Sequence, residues 1–326
     1  MGGDLPWVVG LLLLSLSIAA SVSGAGSLFA QDQSGSNPAL ADVHAARKAL
    51  LSLIQTGSLD EAISFGRESV ARWPDDADIR HFLGVAYFKS HQDSSAIAEL
   101  RQSERLARSD PDIHFDLALV HLDERQYLPA ASELEESIRL DPQNALAHLL
   151  LGRAYQNTNR TLEGIEQFRA ALKLDEKVQL GHYDLGFAYA SLGLNRQAIA
   201  EYKQELERNP DNATVLYQLG HVLLESGDQN SASKYLMMAT GFDPQNSDAF
   251  YDLGKALLLT GNFAAAISPL QRSTSLKPSD PSPHYQLARA FEKLGKPDEA
   301  QREWQEFAAL KKAQPQTGGM ASGQTQ

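Results

Sequence analysis

Nine histidines and forty-one carboxylates are the groups in this chain that could do chemistry, and no cysteine accompanies them. Without a thiol there is no thiolate nucleophile, no disulfide and no cysteine-ligated zinc. Three of the histidines, His114, His148 and His182, stand 34 residues apart, and His284 rejoins the series later. Imidazoles in register could hold a metal. No carboxylate column is evident beside them, however, and packed helices stand roughly 8–10 Å apart. The column therefore reads as packing, and no metal ligand is assigned. The neighbours Glu135–Glu136 and Asp75–Asp76 read as a helix surface and a turn or cap rather than an acid/base pair. The chain has no glycine-rich phosphate loop, no Gly-x-Ser-x-Gly elbow and no His-Glu-x-x-His. No catalytic residue and no cofactor is assigned.

The totals narrow the class further. Apolar residues make up 43% and charged residues 21%, a globular composition. The net charge of −12 repels phosphate backbones, and no Lys/Arg stripe reverses it, so nucleic acid is not an expected partner. Trp7 to Val22 is an apolar run followed by small residues up to Ala30. That is the shape of a signal peptide, with cleavage expected after Ala25 or Ala30, although residues 1–6 carry Asp4 and no cation. The run is shorter than the roughly 20 residues of a spanning helix. The expectation is an exported protein, periplasmic or secreted, with an N-terminal membrane anchor as the alternative and no other membrane insertion. Residues 31–42 read as a polar linker and 315–326 as a disordered tail.

The elements that must position everything else repeat every 34 residues. One column reads Leu83, Leu117, Leu151, Leu185, Leu219, Leu253 and Leu287. The next is always small: Gly84, Ala118, Gly152, Gly186, Gly220, Gly254 and Ala288. Twelve residues on is a second small column, from Ala96 to Ala300, and four further a bulky one: Leu100, Leu134, Phe168, Tyr202, Leu236, Leu270 and Trp304. Leu, small and bulky residues at helical spacing mark the apolar face of a first helix, and small then bulky marks the facing stripe of a second. Asn159, Gly193, Gly227, Gly261 and Gly295 should close the first helices in the left-handed conformation. Pro74, Pro142, Pro210, Pro244 and Pro278 should stop the second ones. Asp76, Asp110, Asn144, Asn212, Asn246 and Asp280 should cap the helices that follow, with Val178 marking the one junction without such a cap. A looser row with Ala49, Leu50 and Gly66 in the key places precedes the seven regular ones.

These columns resemble the tetratricopeptide-repeat family, whose Leu-Gly-x-x-Tyr signature is literal at Leu151–Tyr155 and Leu185–Tyr189. The resemblance implies an all-α fold, an α-solenoid winding as a right-handed superhelix of eight 34-residue hairpins over residues 43–314. It also implies that first helices line a concave groove and that the chain is a non-enzymatic scaffold binding a protein or peptide. On that reading the groove places are held by Phe115 and Asp116, Arg153, Tyr183 and Asp184 with Phe187, Tyr217 and Gln218 with His221, Tyr251 and Asp252 with Lys255, and Tyr285 and Gln286 with Arg289. The N-terminal end of the groove should be apolar. The C-terminal end should be a tyrosine ladder beside alternating Asp and Gln, either touching an extended peptide or packing on the next hairpin. At the end of the array Trp304 and Phe307 lack a further hairpin to cover them, so a partner or second copy could sit there. The alternative function is an accessory, non-catalytic subunit of an envelope complex for polysaccharide or protein export.

Overall fold

The computed structural model describes residues 42–313, and the signal-like segment 1–30, the linker up to residue 41 and the tail 315–326 lie outside them. Among the described residues there are sixteen α-helices and no strand. They are α1 (Val43–Thr56), α2 (Leu59–Arg72), α3 (Ala77–Lys89), α4 (Asp93–Leu106), α5 (Pro111–Asp123), α6 (Tyr127–Leu140), α7 (Ala145–Asn157) and α8 (Thr161–Leu174). The second half continues with α9 (Gly181–Ser191), α10 (Asn195–Arg208), α11 (Ala213–Glu225), α12 (Gln229–Phe242), α13 (Ser247–Leu259), α14 (Phe263–Leu276), α15 (Ser282–Lys293) and α16 (Pro297–Ala313). Two compact units divide after Val178, each an α-solenoid segment of four stacked hairpins. Within each unit every helix packs on the next, and most first helices also touch the first helix of the following hairpin.

The punctuation works as the residue types dictate. Side chains of Asp76, Asp110, Asn144, Asn212, Asn246 and Asp280 all accept a backbone N–H from the first turn that follows them. Asn159, Gly193, Gly227, Gly261 and Gly295 all have positive φ and end the first helices. His91 and Arg125 occupy the same place in two earlier hairpins at φ of 56° and 57°, where a side chain is strained. Where the cap is missing, α9 begins two residues late against the 34-residue register, behind Leu180 in the left-handed region with no side-chain cap. Pro269 sits inside α14 without ending it.

Packing inside each hairpin follows from the small columns. A Cβ on Gly152 would stand 2.5 Å from Cε1 of Phe168, and one on Gly164 would stand 2.9 Å from the carbonyl oxygen of Gly152. Only hydrogen at both places lets α7 and α8 close to this distance. The loose first row reverses the order: Leu50 fills the small place and Gly66 the bulky one, its missing Cβ 3.4 Å from Leu50. Size complementarity is preserved with the partners exchanged. The leucine column from Leu83 to Leu287 is buried throughout.

Candidate functional site: the first-helix face

The histidine column has a structural use. Nδ1 of His114, His182 and His284 meets a carboxylate oxygen of Glu133, Glu201 and Glu303 at 2.6–2.8 Å, nineteen residues on in the second helix. His148 meets Gln167 in the same way at 2.7 Å, and Arg80 meets Glu99 at 2.8 Å. A carboxylate column does therefore accompany the histidines, contrary to the sequence reading. It was hidden because the partners lie in the opposite helix rather than beside the column. At the same two places Leu216 and Tyr235 share an apolar cluster, and the next hairpin carries Phe250 and Pro269.

In unit 1 the first-helix face is less apolar than expected. Nε2 of His81 lies 2.6 Å from Oδ2 of Asp116, tying α3 to α5. Burial pulls this imidazole's pKa down, but the bond and charge of Asp116 outweigh it and hold the pKa above its ordinary 6.5. Phe115 and Arg153 are buried, and Phe115 belongs to the core around Leu134 and Leu151.

Unit 2 carries the tyrosine column on α9, α11, α13 and α15, and it is graded. Tyr183 and Asp184 are buried, with the Tyr183 ring 6.3 Å from Phe187 and 6.1 Å from Tyr202. Tyr217 is half-buried against Leu216, Ala239 and Ala249, and burial pushes its hydroxyl pKa well up. Tyr251 packs on the cluster of Leu270, Leu287 and Phe291. Tyr285 is 38% exposed and Phe187 36%. Of the alternating Asp and Gln, Asp252 ties one hairpin to the next. Asp252 and Gln286 are buried; Asp252 holds Nδ1 of His221 at 2.7 Å, and Gln286 accepts a long bond from Arg289 at 3.4 Å. Asp252's bond raises the His221 pKa above 6.5 against the opposing pull of burial.

Of the fifteen groove places, Phe115, Arg153, Tyr183, Asp184, Asp252 and Gln286 are thus buried. Asp116, Phe187, Tyr217, Gln218, His221, Tyr251, Lys255, Tyr285 and Arg289 keep surface. The structure brings Lys255, Gln286 and Arg289 together around a cavity of about 80 Å³, with Leu258, Leu259, Phe263 and Lys293 completing its wall. Lys293 escaped the sequence reading; its one signal is the four-residue spacing from Arg289, which sets both on one helix face. At the end of the array Trp304 and Phe307 are half-buried, gathered with Tyr285 at ring distances of 5.3–6.0 Å, and Trp304 Nε1 donates to Glu292 at 2.9 Å.

The repeats match known ones. The tetratricopeptide-repeat family's profiles match residues 115–178 and 189–257. Solved structures share the architecture at low identity. The C-terminal part of a TPR repeat-containing protein from Cytophaga hutchinsonii superposes with a TM-score of 0.60 at 15% identity, covering 71% of this chain and 95% of that one. The protein YrrB, described as a TPR protein with an unusual peptide-binding site, gives 0.52 at 19%, covering 57% of this chain and 95% of that one. A MamA structure gives 0.51 at 22%, covering 55% of this chain and all of that one. The search of curated proteins finds no match. By its repeats and their stacking, the chain belongs to the tetratricopeptide-repeat family.

Proposed function

We propose that the chain is a non-enzymatic adaptor that holds a protein or peptide partner against the first-helix face of unit 2. The observation that carries this reading is the row Phe187, His221, Lys255, Tyr285 and Arg289, of which Phe187, Tyr285 and Arg289 are exposed and the other two half-buried; it mixes aromatic and cationic surface on four successive first helices. Aromatic rings give stiff contact area, and hydroxyl and guanidinium groups give bonds to a peptide backbone. The net charge of −12 directs the choice away from nucleic acid. The apolar run Trp7–Val22 supports an exported location, periplasmic or secreted, or tethered by that segment.

The test is affinity capture from an envelope extract with the full chain beside a Phe187→Ala/Tyr285→Ala variant, read by mass spectrometry. A protein retained by the first and lost from the second, with helicity equal, supports the reading. Identical capture by both moves the partner to another surface.

A second contact is favoured by α16, whose 17 residues bury Ala300 alone. In this reading the chain is an accessory, non-catalytic subunit of an envelope export or assembly complex, or pairs with its own copy through the Trp304 edge. A monomeric sedimentation profile at high concentration, together with no co-purifying enzyme, would sink it.

A further inference from the structure

Several cations of this chain are held by carboxylates. Asp and Glu outnumber Lys and Arg by 41 to 29, so partners abound. Arg47 pairs with Asp76 and Asp78, Arg80 with Glu99, Arg101 with Glu104 and Glu133, and Arg139 with Glu136. Arg160 pairs with Glu163, and Lys277 lies within reach of Asp280.

The cavity between α13 and α15 instead gathers three cations on one small space. Lys255, Arg289 and Lys293 all line it, and among the described residues neither lysine has an ion pair. Arg289 makes only the long bond to the Gln286 amide and lies over the Tyr285 ring. Glu292, next to Lys293 in the chain, is turned instead to Trp304. Three like charges around one small space repel each other, and their convergence on one cavity points to an anion supplied from outside. The rest of the wall is apolar: Leu258, which packs on the unit 2 core, Phe263, and Leu259, which is 54% exposed. At about 80 Å³ the cavity admits one side-chain head group. It falls far short of the roughly 300 Å³ at which pockets for whole small molecules begin. A polyanion would meet the chain's overall negative charge beyond this one spot.

We infer that the cavity between Lys255, Arg289 and Lys293 seats an Asp or Glu side chain of a partner peptide, with Leu258, Leu259 and Phe263 taking the apolar residue beside it. The inference rests on the reading of this face as a partner surface and adds what the partner must carry. It makes an unusual demand of an acidic protein. Long-range repulsion should select basic peptides, so a preference for acidic ones can arise only from a local cationic site.

The experiment is selection of random dodecapeptides, displayed through their C-termini so that side chains supply the only carboxylates, on the immobilised full chain. The same selection is run on Lys255→Glu/Lys293→Glu and on the control Lys173→Glu. The expected result is enrichment of Asp or Glu next to an apolar residue on the wild type and the control. That enrichment should be lost on the double variant, with the selected peptides binding it at least about tenfold more weakly. Should the double variant fail to fold, Lys255→Met/Lys293→Met keeps the aliphatic stems and removes the charge. Enriched peptides without an acidic excess, or an excess that survives on the folded double variant, overturn the inference and leave the partner-surface reading standing. No enrichment at all on the wild type overturns both.

Discussion

Nδ1 of His221 in α11 lies 2.7 Å from Oδ2 of Asp252 in α13, a bond that ties one hairpin of unit 2 to the next. His81 and Asp116 do the same for two hairpins of unit 1 at 2.6 Å. Apolar clusters also run from hairpin to hairpin, but these two ion pairs give the stack a dependence on pH that leucines cannot.

The sign follows from the pKa directions. Both imidazoles are held above the ordinary 6.5. Their contribution is therefore fully present below pH 6.5 and is lost as pH rises through the raised folded values. Melting temperature should fall as pH rises above 6.5. The fall should be shallower in Asp252→Asn, which removes the unit 2 pair. Glu225 also raises the His221 pKa and Lys255 lowers it. Lys255→Met should therefore shift the dependence upward in pH. A flat wild-type profile would remove both pairs from the stability account.

Gly152→Ala should destabilise the chain by about 1–3 kcal/mol, because the added methyl meets an aromatic ring across two helices that cannot part. Phe168 Cε1 is 2.5 Å from the position it would take, and Gly164 on the same helix is already against the Gly152 backbone. Gly152→Ala/Phe168→Leu should recover part of the loss, since Ala118 faces Leu134 in the hairpin before. Chemical denaturation of the three proteins decides it.

His91→Gly should stabilise by about 1 kcal/mol, since His91 holds φ of 56° where five other hairpins use glycine. The side chain is exposed and sacrifices no packing. A lowered denaturation midpoint would show that the glycine's extra freedom in the unfolded chain outweighs the relieved strain.

Glu133 is buried and held by both His114 and Arg101. Glu133→Ala should cost about 3 kcal/mol, because it strands its partners without a carboxylate. His114→Leu/Glu133→Tyr copies the pairing at Leu216 and Tyr235 and should cost less than the single change. Equal losses would mean that the apolar pairing does not transfer between hairpins.

The repeat itself was legible in the sequence because each hairpin's needs are local. A left-handed closing residue, a capping side chain and a small residue opposite a bulky one are satisfied within a few turns of the same chain segment. Gly227, Asn246 and Gly152 announce themselves by type and by recurring every 34 residues. The missing cap before α9 was legible for the same reason. Which of these places keep surface was not, because exposure depends on how far one hairpin covers the next. Tyr183 is buried while Tyr285 at the same place is open, and no local property of tyrosine separates them. Ionic partners were equally hidden. Asp252 is 31 residues from His221 and Glu133 is 19 from His114, distances that only stacking and the hairpin turn bring within a hydrogen bond. Lys255 and Lys293 likewise became neighbours only when α15 packed beside α13. Charges carry no signature of their partners along the chain, so their pairing, or the lack of it, was decided by the tertiary structure.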